Sequence, residues 1–447
     1  MNALQSLKIV CLLGPALLQA VATGAQPVTK SAGGGYHSLF LKSDGSLWAM
    51  GYNFYGQLGD GTYNTFTNRP ERVVTNGVAA IAGGLYHSLF LKSDGSLWAM
   101  GANQYGQLGD GTYNKTNQPE LIVTNGVTAI ATTWEHDLFL KSDGSLWAMG
   151  YNEYGQLGDG NNAFTNRPVL IVTNRVVAIA AGFQHSLFLK SDGSLWAMGY
   201  NEYGQLGDGT ANNTNQPELI VTNGVTAIAA GGQHSLFLKS NGSLWAMGYN
   251  GYGQLGDGTG NESTNQPEQI VASGVTAIAA GFEHSLFLKS DGSLWAMGGN
   301  FSGQLGDGTD NSASVPEQIV AGGVTAIAAG DAFSLFLKSD GSLWAMGDNS
   351  YGELGDGTTN NITPPGQIVA GPPGYNQISI QLLSGGNVSL SYVGIAGTNY
   401  ALDYAFSLSP ANWVPLATNP AGAGGGLVFT NTPNPTTNDF WRIRSVP

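Results

Sequence analysis

The chain is expected to be all-β: a seven-bladed β-propeller followed by a small C-terminal β-sandwich. Three observations carry that expectation. The phrase His-Ser-Leu-Phe-Leu-Lys-Ser-Asp-Gly-Ser-Leu-Trp-Ala-Met-Gly recurs almost unchanged seven times, with its tryptophans at Trp48, Trp98, Trp147, Trp196, Trp245, Trp295 and Trp344. The period is therefore 49 or 50 residues, and a fixed period of this size marks modules that cannot bury their apolar faces alone. Each period also carries four short strand signals, and four strands repeated seven times make the blades of a ring.

In the fifth unit these strands, A to D, are Val-Thr-Ala-Ile-Ala-Ala (225–230), Ser-Leu-Phe-Leu-Lys (235–239), Ser-Leu-Trp-Ala-Met (243–247) and Pro-Glu-Gln-Ile-Val (267–271). Strands B and C are joined by Ser-Asp-Gly, or by Ser-Asn-Gly in this unit, because Asn or Asp tolerates positive φ and Gly prefers it. The periodic region covers 26–371. Complete A to D sets and sets staggered across the chain ends both count to seven, so the sequence leaves open how the ring closes.

The ends differ from the repeats. Lys8 precedes a short apolar run over 9–18, broken by Gly14 and Pro15 and followed by small residues up to Ala25. That is the layout of a secretory signal peptide over 1–25, too short and interrupted for a span of about 20 apolar residues. The only cysteine, Cys11, falls inside it. Export to the medium, periplasm or cell surface is expected. Past Gly371-Pro372-Pro373-Gly374 the period stops, and short alternating segments over 372–447 predict the β-sandwich, read as a spacer or anchor. It resembles the terminal modules appended to secreted bacterial proteins.

Only 10% of residues are charged and the formal net charge is −14. No basic patch exists to neutralise phosphates, so nucleic-acid binding is not expected. The repeated lysines, such as Lys190, stand two residues before a turn Asp or Asn, and are expected to be balanced there everywhere except beside Asn241.

A second phrase, Asn-x-Tyr-Gly-Gln-Leu-Gly-Asp-Gly, follows each Trp-Ala-Met-Gly, as at 152–160 and 201–209. Together, Gly-x-x-His-Ser, Trp-x-Met-Gly-x-Asn and Gly-Gln-Leu-Gly resemble the repeat of the regulator of chromosome condensation family. The resemblance spans roughly 27–371 and implies a propeller that acts mainly by protein contact. The short units and aromatic-rich loops are also similar to the secreted β-lactamase-inhibitor propellers. The activity of the family's namesake, guanine-nucleotide exchange, is the alternative function implied; a structural or adhesive envelope protein is another.

Catalysis is not expected. His37, His87, His136, His185, His234 and His284 occupy one position in six units, and Phe333 stands there in the seventh. Equivalent atoms on successive blades are too far apart for one metal ion, which needs ligands at about 2.0–2.1 Å. A structural hydrogen bond from each His to the neighbouring blade is expected instead. The Asp-Gly-Thr stretches offer too few oxygens for calcium and read as turns. No nucleophile elbow, zinc motif or phosphate loop is present, so no cofactor or metal is expected.

Units copied from one ancestor need keep only what the fold requires. Antiparallel strands place the A to B and C to D loops on one face, and nearly all differences between units lie there. The A to B loops carry Tyr36, Tyr86, Trp134, Phe183 and Phe282, aromatics of the kind that anchor protein interfaces. Glu135 and Glu283 in the same loops, with Glu153 and Glu202 in the C to D loops, give that face an expected acidic rim that draws a basic partner. A monomer that binds a protein through this face is the reading.

Overall fold

A computed structural model describes residues 26–260, 263–373, 375–376, 378–382, 388–395, 398–405, 414–422, 425–431 and 440–446; the expected signal peptide lies outside them. The chain divides into a ring unit, Gln26–Gln377, and a C-terminal unit, Ile378–Pro447.

In the first blade β1 (Val28–Gly33), β2 (His37–Lys42), β3 (Leu47–Tyr52) and β4 (Phe66–Val74) pair antiparallel in chain order. The same order recurs over 78–123, 127–172, 176–221, 225–271, 275–320 and 324–369. The first strands of neighbouring blades adjoin one another around the axis. Every blade is thus complete, and among the described residues no strand is exchanged between the ends of the ring. In the fifth blade the outer strand begins at Thr264 rather than Pro267, because the ladder slips between Ala246 and Gly248 and resumes with Gly248 opposite Thr264.

The strand period of two decides the packing. In the fourth blade Leu187 and Leu189 face the fifth, joining Phe237 and Met247, while Phe188 faces back onto Leu138 and Leu140 of the third. Seven such apolar clusters fill the seven seams. The last-to-first seam is built likewise, Leu335 and Leu337 meeting Phe40 and Met50. Val28 N donates to Gly341 O at 3.0 Å there, just as Val78 N donates to Gly45 O at 3.0 Å between the first two blades. Each fully buried Leu or Phe contributes roughly 1.5–3 kcal/mol, so the ring closes on repeated apolar burial.

The turn motif is a self-contained unit. Asp192 Oδ1 accepts from Ser194 N at 2.9 Å and from Ser194 Oγ at 2.6 Å, and Trp196 Nε1 donates to Ser194 Oγ at 2.9 Å. Lys190 Nζ lies 3.9 Å from the centre of the Trp196 ring. The repeated lysines therefore rest on tryptophan faces, not in ion pairs with the turn carboxylates. The long apolar stem lies along the indole while the ammonium meets its electron-rich face. Gly199 ends strand C at φ 110°, where a Cβ would lie 2.5 Å from Gln184 O, which explains the glycine of Trp-Ala-Met-Gly.

In the C-terminal unit Val388–Val393 is flanked by Ile378–Leu382 and Gly426–Asn431, and Asn399–Ala405 by Val414–Pro420 and Phe440–Val446. Leu390, Leu427 and Phe429 of the first sheet share a core with Tyr400 and Leu402 of the second, a small β-sandwich.

Candidate partner-binding face

The histidines come first because they hold the loops that bear this face. His185 lies on the same side of its strand as Leu187, and Ser186 on the side of Phe188, so each blade reaches forward with His and backward with Ser. His185 Nε2 meets Ser235 Oγ at 2.9 Å, and that hydroxyl donates to Gln205 O at 2.8 Å. The serine has one proton and gives it to the carbonyl, so the imidazole donates from Nε2. Equivalent bonds join His37 to Ser88, His136 to Ser186, His234 to Ser285 and His284 to Ser334, at 2.7–2.9 Å. Complete burial pushes His37, His136, His185 and His234 down to about 3 and His284 to about 4. These rings are neutral structural donors, as their placement in the repeat predicts.

The third blade departs from the pattern. Asp137 replaces the serine; its Oδ1 lies 2.8 Å from His87 Nε2, while its buried Oδ2 has no partner among the described residues. Asp137 makes no hydrogen bond to the Gln107 carbonyl, whereas serines of the other blades donate to the matching carbonyls. Asp137→Ser is expected to stabilise the protein by about 1–3 kcal/mol, the cost of an unsatisfied buried group, read as a rise in Tm; an unchanged or lower Tm refutes it.

The A to B loops are tied into a collar around the axis. Gly35 N donates to Gly84 O, Leu85 N to Trp134 O, Phe183 N to Gly231 O, Gly232 N to Gly281 O, Phe282 N to Asp331 O and Asp331 N to Gly34 O, at 2.9–3.2 Å. Between the third and fourth blades the Thr133 hydroxyl donates to Ala181 O instead. The other six units have glycine at this position, and at Gly182 a Cβ would lie 2.3 Å from the His185 ring. The third loop, Thr132-Thr133-Trp134-Glu135, is thus a rebuilt segment.

Inside the collar the axis opens as a cavity of about 190 Å³, lined among others by Leu85, Trp134, Phe183, Phe282 and Asp331. Trp134 and Phe183 have ring centres 3.3 Å apart, and Phe183 and Phe282 5.2 Å. All three are half-buried. Tyr36 and Tyr86 stack separately, 5.6 Å apart at 15°, among Tyr52, Tyr55 and Tyr351. The expected aromatics therefore form two clusters on the expected face.

The acidic residues divide. Glu135 is only 7% exposed and accepts from Gln104 Nε2 at 3.0 Å, and burial raises it to about 7. It belongs to the seam between blades rather than to an acidic rim. Glu283 is half-buried and raised by burial, and it acts electrostatically on Asp331 at the mouth. Glu153 and Glu202 are exposed and accept from the hydroxyls of Tyr151 and Tyr200.

Sequence reasoning missed two features. Tyr105 with Tyr151, Tyr154 with Tyr200 and Tyr203 with Tyr249 meet across successive seams, with ring centres 4.9–5.0 Å apart. This tyrosine belt recurs from unit to unit, so it read as fold rather than surface. Asp331 precedes the Phe333 site in the seventh unit, and only the packing of the seventh blade on the sixth brings it beside Phe282. The Asp-Gly-Thr stretches are turns: Asp60 Oδ1 accepts from Thr62 N at 2.8 Å and from Asn53 Nδ2 at 3.0 Å.

Seven seams of one design, a tied collar and loop variation gathered on a single face define the class, a repeat propeller. The profile of the RCC1-like domain matches residues 119–391, and that of the regulator of chromosome condensation (RCC1) repeat matches 28–57, 78–107, 44–91 and 94–140. The chain belongs to the RCC1 repeat family.

Human WBSCR16 is similar in structure, with TM-score 0.66, 24% identity, and 74% of this chain and 95% of that one covered. Prp20p of Saccharomyces cerevisiae, whose structure was determined together with its binding properties to Gsp1p and histones, gives TM-score 0.65, 22% identity and coverage of 79% and 88%. Yeast RCC1 bound to Kap60 gives TM-score 0.65, 20% identity and coverage of 85% and 93%. At these identities the likeness speaks for the fold. No curated protein sequence matches the chain. Among the described residues no helix is long and apolar enough to cross a membrane.

Proposed function

We propose that the protein is an exported, non-enzymatic propeller that holds a basic protein partner on the face bearing the A to B and C to D loops. The observation that carries this reading is the half-buried cluster of Trp134, Phe183 and Phe282 at the axis, on the face that collects the differences between units. Aromatic anchors set among backbone collars are what protein interfaces concentrate their energy in. The net charge of −14 favours a cationic partner. The segment 1–25 supports export, and the C-terminal sandwich then serves as spacer or anchor. Protein contact is also what was studied in Prp20p, with Gsp1p and histones. Guanine-nucleotide exchange rests on the fold alone, and fold does not imply function.

The test is capture of extracellular and periplasmic proteins on the purified 26–447 chain, beside a variant with Trp134, Phe183 and Phe282 changed to Ala. Each truncated anchor is expected to cost about 2 kcal/mol or more, about 30-fold in affinity. A partner held equally by wild type and folded variant, or by neither, sinks the reading.

A further inference from the structure

We infer that the axial mouth is an arginine pocket: a guanidinium of the basic partner enters the cavity lined by Trp134, Phe183 and Phe282 and is met by the carboxylate of Asp331. The inference rests on the proposed binding face and names the group that face selects.

Size comes first. The cavity of about 190 Å³ exceeds the roughly 150 Å³ apolar cavity that takes a benzene ring, so a planar group of that size fits. Its walls are Leu85, Trp134, Phe183 and Phe282, closed by glycine backbone at Gly83 and Gly330. A wall of this kind repels a hydrated anion and offers π faces to a cation.

Charge then selects the occupant. Among the described residues the Asp331 side chain accepts no hydrogen bond and forms no ion pair. The charges acting on it, Glu283 and Asp348, are both negative, and with burial they raise it to about 6. It is a carboxylate set in an apolar mouth without its counter-charge, and an incoming cation supplies one.

The chain shows the same recognition elsewhere: Lys115 Nζ sits 4.5–5.4 Å from the ring centres of Phe54, Tyr55 and Tyr63. Arginine is favoured over lysine in the mouth. Guanidinium is planar and weakly hydrated, stacks on aromatic faces, and donates two parallel hydrogen bonds to one carboxylate.

The experiment is ligand-observed NMR on the full chain. The probe is arginine blocked at both ends, N-acetyl-arginine methylamide, and its uncharged isostere is N-acetyl-citrulline methylamide. Saturable, low-millimolar binding of the arginine probe is expected. About tenfold weaker binding is expected for the citrulline probe, for Asp331→Asn, and for Phe282→Leu, which keeps apolar bulk without a π face.

Equal binding of the two probes, no saturable binding, or binding unchanged in both folded variants overturns the pocket. Free arginine binding more tightly than the blocked form makes the mouth a small-molecule site and also overturns it. Capture of a partner that survives Asp331→Asn but is lost with the triple alanine variant leaves the binding face standing and removes the arginine. The two readings therefore fail separately.

Discussion

Lowering the pH from about 7 to about 4 is expected to unfold the propeller cooperatively, with the loss steepening below about 4.5. The sign follows from the buried imidazoles. His37, His136, His185, His234 and His284 are depressed to about 3 or 4 in the fold from an ordinary value of 6.5. Between those values the unfolded chain binds more protons than the folded one, so stability falls as the pH falls.

Four carboxyls, Glu135, Glu283, Asp331 and Glu353, oppose this. Burial raises Glu135 to about 7, Asp331 to about 6 and Glu353 to about 8. The folded state then holds their protons more tightly, and that stabilisation is lost as the pH rises through the folded values. The five histidines outnumber the four carboxyls below about 6.5. Below about 4.5 the unfolded chain begins to protonate the same carboxyls, so their offset fades. The curve of Tm against pH should therefore peak near neutrality and drop on the acid side.

His234→Phe imitates the seventh blade, where Phe333 stands in this position. It should reduce the acid slope by one proton, about 1.4 kcal/mol per pH unit. A flat Tm from about pH 7 to 4.5, or an unaltered slope in the variant, contradicts the account.

Ser285→Ala is expected to destabilise the protein by about 2–6 kcal/mol. Its hydroxyl, fully buried, accepts from His234 Nε2 at 2.9 Å and donates to Gln254 O at 2.8 Å. Alanine leaves both groups buried and unpaired, at about 1–3 kcal/mol each. Ser38→Ala is the matched control. Ser38 Oγ donates to Glu353 O at 2.7 Å, but the blade before it carries Phe333, so only one group is orphaned. Denaturant unfolding should show Ser38→Ala costing about half as much. Equal losses at the two serines would mean that the histidine bond contributes nothing.

Both predictions trace to residues whose side of the strand is readable from the period of two. That parity places His185 with Leu187 and Ser186 with Phe188, and the expected stitch from one blade to the next follows from it. The turn motif was legible as a turn, but the partner of its lysine was not. Lys190 and Asp192 are neighbours in sequence, whereas the close surface is the indole of Trp196, across the hairpin.

The candidate face was half legible. Loop variation pointed to it, because most positions that differ between units fall in the loops of one face and not in the strands. Its grouping was not legible, since Trp134, Phe183 and Phe282 lie about one and two periods apart in sequence and meet only where the blades converge on the axis. Glu135 shows the same limit: next to an aromatic in sequence it read as a rim carboxylate, but Gln104 of the preceding blade encloses it.

The repeat by itself determined the all-β class, the four strands of each blade and their number, because period and alternation are local properties that every copy restates. Tertiary structure alone decided that each blade is complete, that the two aromatic clusters are separate, and that the Asp331 side chain stands at the mouth without a partner among the described residues. Those are matters of which blades adjoin across a closed ring, and curvature brings together residues that no spacing in the chain relates.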